Sequence, residues 1–164
     1  MNKLLVKDSI VNINDSLCDL DIKTSDLTLI ISGNVYINDY GNNNDLNLKI
    51  LMEKSSHLLY NRYNEDIRKF NLDIELTNDS FVEFNYSLKT NGESNITLNA
   101  NVAGDGNVSR INFHGVTDNE GVIKNIATSK VDEKTKNNEV LENLRIITLN
   151  DAENMIVPNL LVRS

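Results

Sequence analysis

Apolar residues in the middle of this chain recur at every second position. Three segments, residues 70–76, 82–88 and 96–102, alternate apolar side chains with Asn, Asp, Glu, Ser or Thr. Because successive side chains of a β-strand point to opposite faces, this period predicts strands with one buried face and one exposed face. The alternation therefore predicts an all-β fold.

Turn-forming residues separate these segments at short intervals. They occur at residues 78–80, 91–92, 104–107, 118–121 and 150–151. Asn, Asp and Gly favour such positions because they tolerate positive φ or hydrogen-bond to their own backbone. Short strands with regular turns suit either a solenoid of parallel strands or an antiparallel β-sandwich linked by hairpins, and their spacing does not separate the two.

The alternation is weaker in two parts of the chain. It breaks up between residues 55 and 68, where we expect a helix or a strand. Up to about residue 44 the strands are shorter, as at residues 27–31 and 35–37. We expect residues 1–44 to begin the same fold or to cap its end. No shift in composition marks a boundary, so we expect residues 1–164 to form one domain.

Charge and cysteine content narrow the possible partners and the compartment. The net charge is -8 and the basic residues are scattered, so we expect no nucleic-acid surface. A single cysteine excludes an internal disulfide and fits a reducing compartment. No apolar run is long enough to cross a bilayer, and the N-terminus lacks the pattern of a signal peptide. These observations predict a cytoplasmic protein without a membrane partner.

The metal-binding candidates are one cysteine and two histidines. Cys18 shares its predicted strand face with Leu20 and Ile22, so we expect it to be a small core residue. His114 is out of phase with its apolar neighbours and should face solvent, and His57 lies beside two leucines. These three residues do not have the spacing of a metal motif.

Carboxylates and glycine-rich turns also lack the pattern of a catalytic site. Asp19 with Asp21, and Asp73 with Glu75, fall on the solvent face of predicted strands. The segment at residues 104–107 has no lysine or helix pattern after it, so it is a turn and not a phosphate loop. Without a nucleophile beside a base, the sequence predicts that the chain is not an enzyme.

Four segments in the last third follow one another in a specific order. Residues 122–129 precede an acidic turn rich in Lys and Asn, and residues 144–151 are an apolar strand that ends in an acidic turn. Residues 152–158 lead into the only proline, Pro158, and residues 159–163 continue after it. This order resembles the core domain of the SufB/SufD family, the scaffold subunits of the Suf iron–sulfur cluster assembly machinery. The resemblance covers roughly residues 67–164.

The resemblance implies a right-handed parallel β-helix whose end coils are paired or capped. It also implies a scaffold or accessory subunit that forms a homodimer or heterodimer and works with an ABC-type ATPase. The family places a cysteine late in its core, and histidine and glutamate residues just beyond the last strand. Near the matching strand this chain has Glu142, Asn143 and Leu144, and no cysteine lies there. From the resemblance we therefore expect either a truncated core or a relative that does not bind the cluster.

Because the family's cysteine is missing at the late strand, no ligand residue can be assigned from the resemblance. We expect no catalytic and no metal-binding residue here, and the cofactor-binding residues stay unassigned. Any iron–sulfur cluster would be transient and would form only in the complete assembly. The alternative function is a β-sandwich module that binds a carbohydrate or a protein. That alternative would need an aromatic surface, but the chain has no tryptophan and only Tyr60 and Tyr63 lie close together in sequence.

Overall fold

The computed structural model describes residues 2–163, which form fourteen β-strands and no helix. In chain order these strands are β1 Asn2–Val6, β2 Ile10–Asn14, β3 Leu17–Ile22, β4 Asp26–Ser32, β5 Asn34–Asp39, β6 Asp45–Met52, β7 His57–Glu65, β8 Lys69–Leu76, β9 Phe81–Thr90, β10 Glu93–Val102, β11 Val108–Thr117, β12 Val122–Asp132, β13 Glu139–Thr148 and β14 Met155–Arg163.

The strands form two sheets of seven. All odd-numbered strands lie in one sheet and all even-numbered strands in the other, each in sequence order. We call them the odd sheet and the even sheet, and we call two successive strands, one from each sheet, a coil. Every ladder between neighbouring strands is parallel.

This arrangement is consistent with a parallel β-helix-like solenoid. Each strand pairs with the strand two places along the chain, which is one coil away, and not with its neighbour in sequence. The prediction of an all-β fold built from parallel strands is confirmed. The antiparallel β-sandwich alternative is wrong, because hairpins would have placed successive strands side by side in one sheet.

Inward-facing side chains of the two sheets pack into one apolar core. The register keeps buried positions opposite buried positions, as where Phe70 of β8 pairs with Leu46 of β6 and Ile96 of β10. Aromatic rings fill the middle of the core: Tyr60 stacks on Phe84 at 4.7 Å between ring centroids. Such aromatic pairs contribute about 0.5–1.5 kcal/mol each beyond the area they bury.

Asn and Asp are concentrated at the turns for a conformational reason. Six residues other than glycine have positive φ, and all lie between strands or at their ends: Asp15, Ser55, Asp66, Asp79, Asn119 and Asn137. Asn and Asp enter this region more readily than other residues with a Cβ atom. Turn side chains also bind the corresponding turn of the following coil. Asp66 Oδ1 accepts the Asn91 N–H at 2.7 Å, and Asp105 Oδ1 accepts the Lys136 N–H at 2.7 Å.

The two weakly patterned segments belong to the same sheets. Residues 57–65 form β7, so the helical alternative for that segment is wrong. The alternation there is concealed because the inward positions continue from Leu58 and Tyr60 to the polar residues Arg62 and Asn64. The segment up to residue 44 supplies β1 to β5, which are five to seven residues long. Whether it caps the fold stays a prediction.

Candidate pairing surface at the last coil

The last coil, formed by β13 and β14, has an inward face that continues the core. Its inward positions pair in register with the buried rows of β11 and β12. We call these positions the terminal face: Val140, Glu142, Leu144 and Ile146 of β13, and Ile156, Pro158, Leu160 and Val162 of β14. Seven of these eight residues are apolar, so the pattern that builds the core extends to its end.

The terminal face is uncovered by the described residues. One coil earlier, Phe113 and Ala127, which pair in register with Leu144 and Pro158, are fully buried. In the last coil, Leu160 is 62% exposed and Val162 is 65% exposed. The reason is that the chain from residue 2 to 163 places no further coil over β13 and β14. Exposed apolar surface of this kind is typical of interaction sites.

Both strands of the last coil are edge strands. Each is hydrogen-bonded to a neighbour on one side only within the described sheets, so the other side presents free backbone donors and acceptors. Pro158 lies within β14 opposite Ala127. A proline inside a strand is tolerated at an edge because it lacks the N–H that a central strand needs. The edge of β13 has no proline and can accept another strand.

One carboxylate interrupts the terminal face. Glu142 lies at a cleft of about 230 Å³ between β13 and β14, together with Val140, Pro158 and Leu160. Ser129 donates a hydrogen bond of 2.7 Å from Oγ to Glu142 Oε1. Burial raises the pKa of Glu142, while the hydrogen bonds from Ser129 and from the backbone of Asn159 oppose this shift. The carboxyl can exchange a proton, but one carboxylate does not make a metal site.

The structure separates the three metal-binding candidates. Cys18 is buried in β3, as the alternation predicted, and burial raises the pKa of its thiol while a hydrogen bond with Ser16 opposes the shift. His57 and His114 lie on the outer face of the odd sheet and are exposed. Cys18 therefore points away from both histidines. Within residues 2–163, no three His, Cys, Asp or Glu side chains come together as a metal site.

The predicted carboxylate pairs and turns lie where the pattern placed them. Asp21 on the outer face of β3 forms an ion pair with Lys23 at 3.2 Å. Asp73 and Glu75 on the outer face of β8 both accept hydrogen bonds from Asn101 Nδ2, at 3.1 and 3.3 Å. Residues 104–107 form the turn between β10 and β11. Asp73 and Glu75 bind a neighbour across the sheet, and each lines a different cleft of the even sheet, so the two carboxylates do not share one site.

The sequence did not reveal a buried ion pair in the core. Asp39 and Arg62 are both buried, and Asp39 Oδ2 accepts hydrogen bonds from Arg62 Nη1 and, at 2.6 Å, from the Tyr60 hydroxyl. The guanidinium carbon lies 4.9 Å from the centroid of the Phe70 ring and 5.5 Å from that of Tyr86. Among the described residues, Arg62 Nε and Nη2 have no hydrogen-bond partner.

Burial and charge act together on the ionisation of this cluster. Burial alone would lower the pKa of Arg62, but Asp39, Tyr86 and Tyr60 together outweigh burial and raise the pKa above its ordinary value. Burial also raises the pKa of Tyr86 to about 12, against the opposing effect of Arg62. The side chains of Asp39 and Arg62 have no exposed surface, so this ion pair belongs to the core and is not accessible to a substrate. The only sequence signal for it is that Arg62 is in phase with Leu58 and Tyr60.

Over the described range, no helix is both long and apolar enough to cross a membrane. A scan of the chain against protein-family models gives no match, and comparisons with curated proteins and with solved structures give none either.

Proposed function

We propose that this protein is a non-catalytic scaffold subunit in which the terminal face pairs with a second scaffold subunit, the same chain or a related one. We further propose that it is of the SufB/SufD type, and acts in the cytoplasm in iron–sulfur cluster assembly with an ABC-type ATPase. In this role the chain supplies a rigid surface at which subunits meet. Bond chemistry and the cluster ligands belong largely to the complete assembly.

The exposure of the terminal face is the observation that carries the scaffold role. A second subunit that covers Leu160, Val162 and Ile156 would remove apolar surface from water, which stabilises association by roughly 25 cal/mol per Å². The β13 edge would meanwhile gain backbone hydrogen bonds across the interface. Both effects act at the same place. The strands of the first coil are also edges, but there Val6 and Ile13 are buried and Leu4 is 37% exposed, so less apolar core is uncovered than at the terminal face.

The family part of the proposal rests on where the resembling segments lie. Residues 122–129 belong to β12, residues 144–151 to β13 and its turn, and residues 155–163 to β14. The resemblance thus falls on the terminal face and on the strand beneath it. Because the comparisons found no match, the order of these segments and the parallel architecture are its support.

Sedimentation equilibrium with matched variants tests the scaffold role. We expect the purified chain to form a species of twice its 18.5 kDa, and we expect Leu160→Asp to shift it towards one chain. The control is Ile10→Asp, because Ile10 is equally exposed at 60% but lies on the outer face of β2, in the first coil. Equal effects of the two substitutions would contradict pairing through the terminal face.

Affinity capture from native cells tests the family part separately. We expect the wild-type chain to recover an ABC-type ATPase and a second scaffold subunit, identified by mass spectrometry, and the Leu160→Asp chain to lose the second subunit. Self-association without any ATPase would reject the Suf role and keep the scaffold role. A chain that stays single in solution and recovers neither protein would reject both.

A further inference from the structure

A row of asparagines crosses the outer face of the odd sheet. Asn38, Asn61, Asn85 and Asn112 lie in register on β5, β7, β9 and β11. Three of them donate from Nδ2 to the Oδ1 of the asparagine on the neighbouring strand: Asn61 to Asn38 at 3.3 Å, Asn85 to Asn61 at 3.0 Å and Asn112 to Asn85 at 2.8 Å. We call these four residues the asparagine row. The amides are held by one another before any ligand arrives.

The row keeps hydrogen-bonding capacity for a ligand. A side-chain amide has two N–H donors and two acceptor lone pairs on its oxygen. Within the row, Asn85 Oδ1 accepts one bond, from Asn112, which leaves one lone pair for a hydroxyl donor. Parallel strands are spaced about 4.8 Å apart, so such acceptors repeat at that interval across the sheet. A ligand with hydroxyls at regular intervals could therefore bind several of them.

Aromatic rings flank the asparagine row on both sides. On one side a cleft of about 590 Å³ is lined by Tyr36, His57 and Phe81, and the His57 and Phe81 rings stack at 5.6 Å between centroids. On the other side a shallower cleft of about 220 Å³ is lined by Tyr40 and Tyr63, which are 62% and 47% exposed. These residues are scattered along the sequence, and the parallel register brings them to one face.

The face carries little net charge, in contrast to the rest of this acidic chain. The outward positions on and beside the row from β5 to β11 are Tyr36, Asn38, Tyr40, Leu59, Asn61, Tyr63, Glu83, Asn85, Ser87, Arg110, Asn112 and His114. Two of these residues are charged: Glu83 and Arg110 lie opposite each other on β9 and β11 and have opposite signs. A surface whose two charges cancel attracts neither phosphates nor basic ligands strongly. The charge of the face thus complements a neutral ligand.

We propose that this face binds a linear neutral saccharide that runs along the asparagine row, across the strands. Sugar hydroxyls would bond to the amides, and the apolar C–H faces of the sugar rings would rest on Tyr63 and Tyr36. Because the amides and the sheet are already ordered, binding loses little conformational entropy at this surface. The site is separate from the terminal face and does not depend on a scaffold role.

Binding to defined oligosaccharides tests this inference. The purified chain is screened against linear neutral glucans, mannans, xylans and galactans, with an oligogalacturonate as the charged comparison, and hits are titrated by calorimetry. We expect at least one neutral oligosaccharide to bind, with an affinity that salt does not weaken. Failure of every neutral probe to bind, or binding of the oligogalacturonate alone, would overturn the proposal.

Matched variants locate the site. We expect Asn85→Ala and Tyr63→Ala each to weaken binding about tenfold, the effect of losing roughly 1.4 kcal/mol. The control is Asn71→Ala, since Asn71 is also an outward asparagine and donates to Asn47 at 2.8 Å, but on the even sheet. Circular dichroism confirms that each variant is folded. The assignment would be rejected if Asn71→Ala weakened saccharide binding equally. It would also be rejected if Tyr63→Ala weakened binding of a protein partner and left saccharide binding unchanged.

Discussion

Replacing Asp39 with Asn should destabilise this protein strongly, because the Asp39 carboxylate is buried in the core. The Asp39 carboxylate accepts three hydrogen bonds, from the Gly41 N–H at 2.8 Å, the Tyr60 hydroxyl at 2.6 Å and Arg62 Nη1. In Asp39→Asn the charge of Arg62 stays buried between aromatic rings with no anion beside it. Breaking a buried ion pair by removing one partner costs about 3–5 kcal/mol in the free energy of unfolding.

Urea unfolding, followed by circular dichroism and by tyrosine fluorescence, measures this change. The chain has five tyrosines and no tryptophan, and Tyr60 and Tyr86 lie within the cluster, so the fluorescence reports on it directly. The control is Asp45→Asn, which removes the carboxylate of an exposed ion pair with Arg68. We expect this control to shift the unfolding midpoint little, because solvent screens an exposed pair.

A double variant separates the buried charge from the lost hydrogen bonds. Arg62→Met in the Asp39→Asn background removes the unpaired charge and keeps an unbranched side chain against Phe70. We expect it to recover a large part of the lost stability, as replacing both members of a buried pair often does. The reasoning is refuted if Asp39→Asn costs no more than Asp45→Asn, or if the double variant is less stable than Asp39→Asn alone.

Three further predictions concern single residues. Gly104→Ala should lower the free energy of unfolding in urea by about 1–3 kcal/mol, because a Cβ atom there would lie 1.4 Å from the Thr77 carbonyl oxygen. In the control Gly92→Ala the added Cβ atom meets nothing within 4 Å, so the free energy of unfolding should change by under about 0.5 kcal/mol. Cys18 should react with a thiol reagent slowly in the native protein and rapidly in urea, since it is buried and its thiol pKa is raised; equal rates would contradict its place in the core. The pKa of Glu142 is raised in the folded state, so between its ordinary and its raised pKa the folded state binds more protons than the unfolded state. The free energy of unfolding should therefore fall as pH rises through this window. Glu142→Gln should flatten this slope in unfolding midpoints measured across the acidic range, and an unchanged slope would assign it to other groups.

The strands of the middle of the chain could be predicted from sequence because their inward and outward residues differ clearly. Residues 70–76, 82–88 and 96–102 lie within β8, β9 and β10, and the predicted turn residues 78–80 and 91–92 lie between these strands. In β7 the same reasoning failed, because Arg62 and Asn64 occupy inward positions and hide the alternation. The alternation pattern identifies inward positions only by their apolar residues. It therefore cannot identify an inward position occupied by a charged residue whose partner is distant in sequence.

The candidate surfaces depend on register, which the sequence does not specify. Tyr36 and Tyr63 are far apart in the chain, and only the pairing of β5 with β7 brings them to one face. The aromatic pair noted in the sequence, Tyr60 and Tyr63, divides between the two faces, with Tyr60 fully buried. Likewise, nothing in the sequence distinguishes Ile156 and Leu160 from buried strand residues. Their exposure follows from the position of β14 at the edge of its sheet.

The pairing of each strand with the strand two places along the chain has a consequence for biosynthesis. A coil needs only the coil before it as a template, so this chain can fold from its N-terminus as it leaves the ribosome, without waiting for distant segments. Each newly formed coil covers its predecessor and exposes its own apolar face. Among the coils of residues 2–163, the one formed by β13 and β14 is therefore the last to form. Subunits translated side by side would meet at the terminal face before either encountered other proteins.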